Sequence, residues 1–398
     1  MHNESSARAG ILAGVNTRPE EHLSLSRALN RFSASLVRAT VPLPGFDNSS
    51  MDGYAVRAED VHVGAQLKVS DEQPAGVFKK LTLEPNTAIR IFTGAPMPAG
   101  ADAVIMQEDV IRDAEMITCN DLVSKGENVR RQGADLCAGQ QILARGEKLT
   151  PGRLALLASQ GLDQVAVYQC PKVAILTTGD ELVPHGQTLQ QGQLYNSNGI
   201  LLQSLVAQCG LAQANLVHIP DDFDCTVQTL RKLTTDYDFV IISGGVSVGD
   251  HDHVKPALKA LDIPPQFWRV KIKPGKPLLH STFPRPGCGA CQIFGLPGNP
   301  VSSYVTFLLF VRPALLKSMG AAEVFFTLPT SSATLAQPLR NDGDRPHYLR
   351  GRLENGLFHT AGLQQSHALF GLSQSNALLR LQPDDSLPQG ESVIVYNL

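Results

Sequence analysis

The chain has 398 residues, 43% of them apolar and 18% charged; this length exceeds one compact core and predicts two to four domains. The 34 basic and 37 acidic side chains leave a net charge of −3, which argues against a nucleic-acid partner. The best bilayer candidate, VSSYVTFLLFVRPALL (301–316), is broken by Arg312 and Pro313 and falls short of the roughly 20 apolar residues a span needs, so it reads as a buried helix and no membrane contact is expected.

The first ten residues, MHNESSARAG, hold no apolar run of the signal-peptide kind, and a cytoplasmic protein is expected. Seven scattered cysteines fit reduced thiols rather than a disulfide framework. Cys288 and Cys291 form a CxxC with no second pair to complete a zinc site, so they read as an incidental pair in a loop.

In chain order, Leu23, Leu25, Ala28, Leu29 and Phe32 recur at helical spacing and predict a helix within 18–40. Residues 41–145 change character: QLKVS, TAIRI, DAVIM and EMITC are strand-like runs separated by Gly, Pro and Asn, an all-β module. Thr150-Pro151 opens a helix that Gly161 stops. From Lys172, strands alternate with helices: VAILTTGDEL, NSNGILLQSLVAQCG, ANLVHIPDD, FDCTVQTLRKL, YDFVIISGG, HVKPALKAL, CQIFGLPGNP and VSSYVTFLLFV. Such alternation predicts a doubly wound, mostly parallel α/β sheet. The remainder from 321 returns to short runs and turns, a small β domain.

In this sheet the carboxyl ends of the strands should share one rim, where ligands bind. Three predicted strands end there in acids: Asp180 and Glu181, Asp221 and Asp222, and Asp250 and Asp252. Each alone reads equally as a helix cap; gathered on one rim, they repel one another unless a cation intervenes. Hard oxygen donors point to Mg²⁺, which bridges carboxylates to substrate phosphates. Beside the acids, the backbone of SGGVSVG (Ser243, Gly244, Gly245, Ser247, Gly249) is suited to anionic oxygens. His251 and His253 are either metal ligands or surface or helix-start residues. KIKPGKP supplies Lys271, Lys273 and Lys276, a solvated turn or an anion clamp. LPGNP, with Pro297 and Pro300, follows a strand and opens a helix on the same rim. No GxxxxGK[ST], GxGxxG or GxSxG motif occurs.

Six stretches in register, NSSMDGYAV, IFTGAPMPAGADAV, TTGDEL, GGVSVGDHD, KIKPGKP and GLPGNPVSS, resemble the molybdopterin molybdenumtransferases, the MoeA family that includes the E domain of gephyrin. The resemblance implies insertion of molybdate into adenylylated molybdopterin in a Mg²⁺-dependent step, giving molybdenum cofactor and AMP. It implies a homodimer with transient contact to the molybdopterin-adenylylating protein. It also implies a linker-type helical domain (1–40 and 146–169), a β module (41–145), an α/β domain binding molybdopterin (170–320) and a C-terminal β-barrel-like domain (321–398). By motif matching, the catalytic positions are Asp52, Thr93, Glu181, Asp221 and Asp252, with Glu181, Asp221 and Asp252 as metal ligands; Pro297 and Pro300 join Ser243, Gly244, Gly245, Ser247, Gly249, Lys273 and Lys276 in holding the pterin substrate and molybdate. Whether Glu181 meets metal or pterin is open, as is molybdate against tungstate. His253 stands where relatives often carry an aromatic. A non-catalytic scaffold and a nucleotide-type hydrolase on the same α/β domain are the alternatives; the absence of an appended enzyme domain speaks against the first, and the MDGYA and FTGAP loops speak against the second.

Overall fold

The computed structural model describes residues 1–246, 252–287 and 289–398. Two compact units emerge: Met1–Ser35 with Arg145–Leu154 and Asp163–Leu398, and Leu36–Ala144 with Ala155–Leu162.

The smaller unit is built on a six-stranded sheet in the order Ala103–Met106, Gly53–Val56, Thr87–Ile91, Gln66–Gln73, Met116–Cys119, Val110–Asp113. All the strand-like runs read from the sequence are strands. Alternate side chains leave the sheet on opposite sides, and both sides are covered. Tyr54, Val56, Leu67, Ala88, Ile105 and Ile117 pack in one cluster; Ala55, Ile89, Ile91 and Val104 pack in another with Leu83 and Ala95. Gly53 lies so close to the neighbouring strand that an added Cβ would stand 2.0 Å from the Ile105 carbonyl oxygen.

The larger unit holds the α/β layer. Its strands are β1 (Val173–Thr178), β2 (Asn215–Ile219), β3 (Phe239–Ser243), β4 (Phe267–Trp268), β5 (Leu279–Arg285) and β6 (Gly289–Leu296). Their order is β2-β1-β3-β6-β5-β4. The first four are parallel, and β5 and β4 close the edge antiparallel. Helices α1 (Ser197–Gln208) and α4 (Pro300–Thr306) cover one face; α2 (Phe223–Asp236) and α3 (Val254–Ala260) cover the other. Ile175, Phe239, Ile241 and Phe294 point to the first face; Ala174, Leu176, Val240, Ile242 and Ile293 point to the second. Burial on both sides explains why VAILTT and FVIIS are nearly unbroken apolar runs. After α4 the chain passes through a π-helical stretch, Phe307–Val311, into a further helix, Arg312–Ser318. This is the buried helix expected there; no helix among the described residues is long and apolar enough to cross a membrane.

The C-terminal part is a closed barrel of Thr330–Leu335, Leu357–Thr360, His347–Glu354, Ala377–Leu381 and Ser392–Asn397, filled by Ala333, Leu335, Leu349, Phe358, Leu379 and Val395. Together these elements make the chain a multidomain α/β plus β protein.

Two local expectations are corrected. The helix read within 18–40 is absent. Glu20–Ser24 is a strand paired antiparallel with Gln164–Tyr168, followed by a 3₁₀ turn, Leu25–Arg27. The partner strand lies about 140 residues away and satisfies the backbone of 20–24, so tertiary pairing overrides the local period. The N-terminal helix is instead Glu4–Ala13, capped by the Asn3 side chain on the Ser6 N–H at 2.7 Å; its apolar stripe, Ala7 and Ile11, is too thin to announce it. Cys291 is not in a loop but in β6, where burial pushes its thiol up to about 12; Cys288 lies outside the described residues.

Candidate active site

The strand order reverses between β1 and β3: one connection leaves β1 toward β2, the next crosses back to β3. Ligands of open α/β sheets bind outside the strand ends at such a switch point. Here β1 runs into Gly179-Asp180-Glu181 and β3 into Gly244-Gly245-Val246. The two turns touch. A Cβ on Gly244 (φ +98) would lie 3.0 Å from the Thr178 carbonyl oxygen, and one on Gly245 (φ +63) would lie 2.8 Å from Val254. Positive φ and close approach both call for glycine at these positions.

A cavity of about 880 Å³ opens over this point. Glu181, Gly244, Gly245, Asp252, Lys273, Lys276 and Pro297 line it. An adjoining cavity of about 340 Å³ is lined by Ser243, Gly244, Glu181 and Pro300. Residues from three separate motifs thus converge on Glu181 and Gly244. Deeper in, Asn196 donates to Thr177 Oγ1 at 2.8 Å, and its own carbonyl caps Gly199 at 2.9 Å. Asn198 donates to Ser243 Oγ at 2.8 Å and to the Gly298 carbonyl at 2.6 Å. These two asparagines tie the start of α1 to the ends of β1 and β3.

The opposite wall comes from the barrel. Arg345, His347, Gln364, Gln365, Ser366 and His367 face the same space. Lys273 N–H donates to Pro346 O at 2.8 Å, and Tyr348 N–H to Lys273 O at 2.7 Å, so the KPGKP turn is stitched to the barrel strand. The segment 363–368 is organised by Arg350, a fully buried guanidinium. It donates to the carbonyls of Ala368 (2.7 Å), Gln365 (3.2 Å) and Leu363. Asn299 in turn donates to Ser366 Oγ at 3.0 Å. Burial, reinforced by Lys273, Arg345 and Arg350, pushes His347 down to about 4, so it is a neutral polar wall beside cationic neighbours.

Other residues singled out from the sequence are placed elsewhere. Asp221 does not line either cavity; its N–H donates to Asp180 Oδ1 at 3.1 Å. Asp222 is the α2 cap, accepting from Cys225 N–H at 2.7 Å. Lys271 is exposed, with its N–H on the His2 carbonyl at 2.9 Å. His253 packs edge-on to Phe223. Ser247, Gly249, Asp250 and His251 lie outside the described residues. In the smaller unit, Thr93 donates to Asp52 Oδ1 from both N–H (2.8 Å) and Oγ1 (2.9 Å). These bonds, with Arg90 nearby, hold the exposed Asp52 carboxyl below its usual range.

Among the described residues no three His, Cys, Asp or Glu side chains converge to hold an ion. Glu181 and Asp252 share one cavity with lysines and an arginine. Two hard carboxylates beside a cationic wall fit Mg²⁺, which takes one or two protein carboxylates and completes its shell with water and phosphate oxygens; they do not fit a metal caged by protein alone. A further cavity, about 380 Å³ at the amino ends of the strands, is lined by Arg18 and Asp238. Its carboxylate is already paired by Arg18 and Arg285, and it shares nothing with this site.

The barrel residues were not legible in the sequence. QQSH and the HYLR strand carry no motif of their own, and only the fold brings them across from the Gly-rich turn.

Comparison with known proteins agrees with this geometry. Three family models match: MoeA N-terminal region (domain I and II) over residues 3–161, a probable molybdopterin binding domain over 174–317, and MoeA C-terminal region (domain IV) over 332–398. The chain is 40% identical over 393 residues to a molybdopterin molybdenumtransferase of Nostoc sp., covering 95% of this chain and 88% of the relative. It is 36% identical to one of Haemophilus influenzae, covering 94% and 93%. The crystal structure of the molybdopterin biosynthesis moeA protein from Pyrococcus horikoshii superposes with a TM-score of 0.82 at 30% identity, over the whole of both chains. The chain belongs to the molybdopterin molybdenumtransferase family, transferases of molybdenum cofactor biosynthesis.

Proposed function

We propose that this protein inserts molybdate into adenylylated molybdopterin, releasing AMP and forming molybdenum cofactor. The observation that carries this reading is the convergence of Glu181 and Asp252 with Lys273, Lys276 and the Gly244-Gly245 turn on one cavity at the switch point. A site for two anionic substrates needs both signs of charge. The glycine turn lets backbone approach phosphate oxygens closely. Lys273 and Lys276, with Arg345, attract the molybdate dianion as point charges and a fork. Glu181 and Asp252 would hold Mg²⁺, which when bound supplies charge to polarise the phosphoanhydride. Positioning and charge neutralisation, rather than a protein nucleophile, supply the rate. In the reaction the two pterin thiols bind molybdenum and pass their two protons to one oxo group of molybdate, which leaves as water, and a water molecule cleaves the phosphoanhydride so that AMP leaves as a free nucleotide.

Asp221 stands on the rim outside the cavity wall, so Glu181 and Asp252 are the ligand pair this geometry supports best. Asp52 and Thr93 act, in this reading, across a homodimer, the Asp52 loop of one protomer meeting the cavity of its partner. Leu36, Val41, Phe46 and Met51, all exposed, precede Asp52 closely and supply apolar surface for a contact between copies. The adenylylated substrate would come from the molybdopterin-adenylylating protein by transient contact, in the cytoplasm.

Purified protein mixed with adenylylated molybdopterin in a single turnover should release AMP only when molybdate and Mg²⁺ are both present. AMP release indifferent to molybdate would overturn the reading in favour of simple hydrolysis.

A further inference from the structure

Trp268 is the only tryptophan in the sequence. It sits in β4 at the edge of the sheet, and its indole N–H donates to the Val246 carbonyl at 3.0 Å. Val246 is the last described residue of the Gly-rich turn and lines the large cavity. It is also a plug: a Cβ added to Gly295 would meet Val246 Cγ1 at 2.6 Å. The cradle is therefore gripped from behind by one hydrogen bond and one packed side chain.

Two cations lie against the same indole. Lys255 Nζ is 3.3 Å from the ring centroid, and Arg269 Cζ is 4.0 Å away. Three features of this cluster cost free energy. Lys255 is in the first turn of α3, where the helix end is itself partially positive. Arg269 adopts φ +91, a region that side-chain-bearing residues rarely visit. Lys255 and Arg269 repel each other across one ring. Costs of this kind persist where the surroundings over-determine them, and they gather at functional sites. Burial holds Lys255 below its ordinary pKa and Arg269 adds to this, with the Asp252 carboxylate opposing them in part.

We infer that Trp268 is a positioning residue: by its N–H on the Val246 carbonyl it sets the Gly244–Val246 turn in one fixed arrangement before substrate arrives. The inference rests on the proposed function only for the identity of the ligand.

Trp268→Phe keeps a smaller aromatic face for the two cations and removes the N–H donor. Hydrogen exchange in the substrate-free protein should quicken about tenfold in peptides covering 243–246, with the barrel unchanged, as expected for one lost bond. Equal exchange in variant and wild type overturns the inference, with or without activity. In turnover, KM for the adenylylated pterin should rise five- to tenfold with kcat within twofold; a fall in kcat at unchanged KM also overturns it. Should Trp268→Phe fold poorly, the wild-type chain carries a second readout. Titration with AMP and Mg²⁺ should change the emission of its single tryptophan in step with calorimetric heat. Heat without an emission change counts against Trp268. Absence of AMP release by the wild type defeats the reading of the site, while the exchange comparison still decides this one.

Discussion

Thr93 places two donors on a single oxygen of Asp52, its N–H at 2.8 Å and its Oγ1 at 2.9 Å. The pair joins FTGAP to MDGYA, 41 residues apart, and fixes a carboxylate at the tip of an exposed loop in its ionised form. Gly53 makes the loop possible, since no side chain fits against the Ile105 carbonyl.

Thr93→Val removes the hydroxyl donor and leaves the backbone one. Molybdenum insertion should fall about tenfold, the value of one charge-assisted bond, while the melting temperature stays within about 2 °C because the group is exposed. Carbon NMR titration should show the Asp52 carboxyl moving back toward its usual range. An unchanged titration with unchanged activity would remove Thr93 from the site.

Asp252→Asn and Glu181→Gln each take one hard donor from the cavity. Single-turnover AMP release should drop at least about a hundredfold in either variant, with the fold intact by circular dichroism. Raising Mg²⁺ should recover part of the loss if the two carboxylates share the ion. AMP release at the wild-type rate by Asp252→Asn would contradict its role.

Lys276→Gln removes the charge and keeps a polar, unbranched side chain one heavy atom shorter. The KM for molybdate should rise about tenfold while the affinity for pterin changes little, and the salt dependence of the molybdate KM should weaken. Equal loss of both affinities would place Lys276 on the shared phosphate instead.

Arg350→Met leaves the carbonyls of Leu363, Gln365 and Ala368 without their buried donor. Denaturant unfolding should show a loss of about 3 kcal/mol or more. Because the same segment presents Gln364–His367 to the cavity, KM values should rise even at temperatures where the variant is fully folded.

Stability should also depend on pH below neutrality. His280, a buried residue of β5, is pushed by burial down to about 4 from an ordinary 6.5, against the opposing pull of its bond to Gln292; His347 is pushed to about 4 as well. In the unfolded chain both take up protons between pH 6.5 and 4, while the folded chain refuses them. Stability from these groups is therefore fully present above about 6.5 and is lost as pH falls toward 4, on the order of 3 kcal/mol for each. The melting temperature of His280→Asn should fall less than that of the wild type between pH 7 and 5.

The α/β layer was legible because its central strands β1 and β3 are covered on both faces. VAILTT and FVIIS had to be continuous apolar runs, and the turns after them had to hold the glycines and acids that a switch point exposes. The placement of Glu181, Gly244 and Gly245 followed from that pattern alone. Asp222, by contrast, has the same look as Asp221 and Asp252 in sequence, and only the structure makes it a cap.

Sequence by itself determined what is local: the periodicity of β1, β3 and their helices, the glycines at positive φ, the acids and lysines near one rim, and a set of ordered motifs that marked the family. Tertiary structure alone decided what depends on pairing across distance. It turned Glu20–Ser24 into a strand by supplying Gln164–Tyr168 as a partner, and it set β5 and β4 antiparallel along the edge of the sheet. It also carried Arg345, His347 and the 363–368 segment, held by Arg350, to the far wall of the cavity. The reason is physical: hydrophobic period and turn chemistry act over a few residues, whereas a hydrogen-bonded ladder or a buried guanidinium acts between residues that only the folded chain makes neighbours.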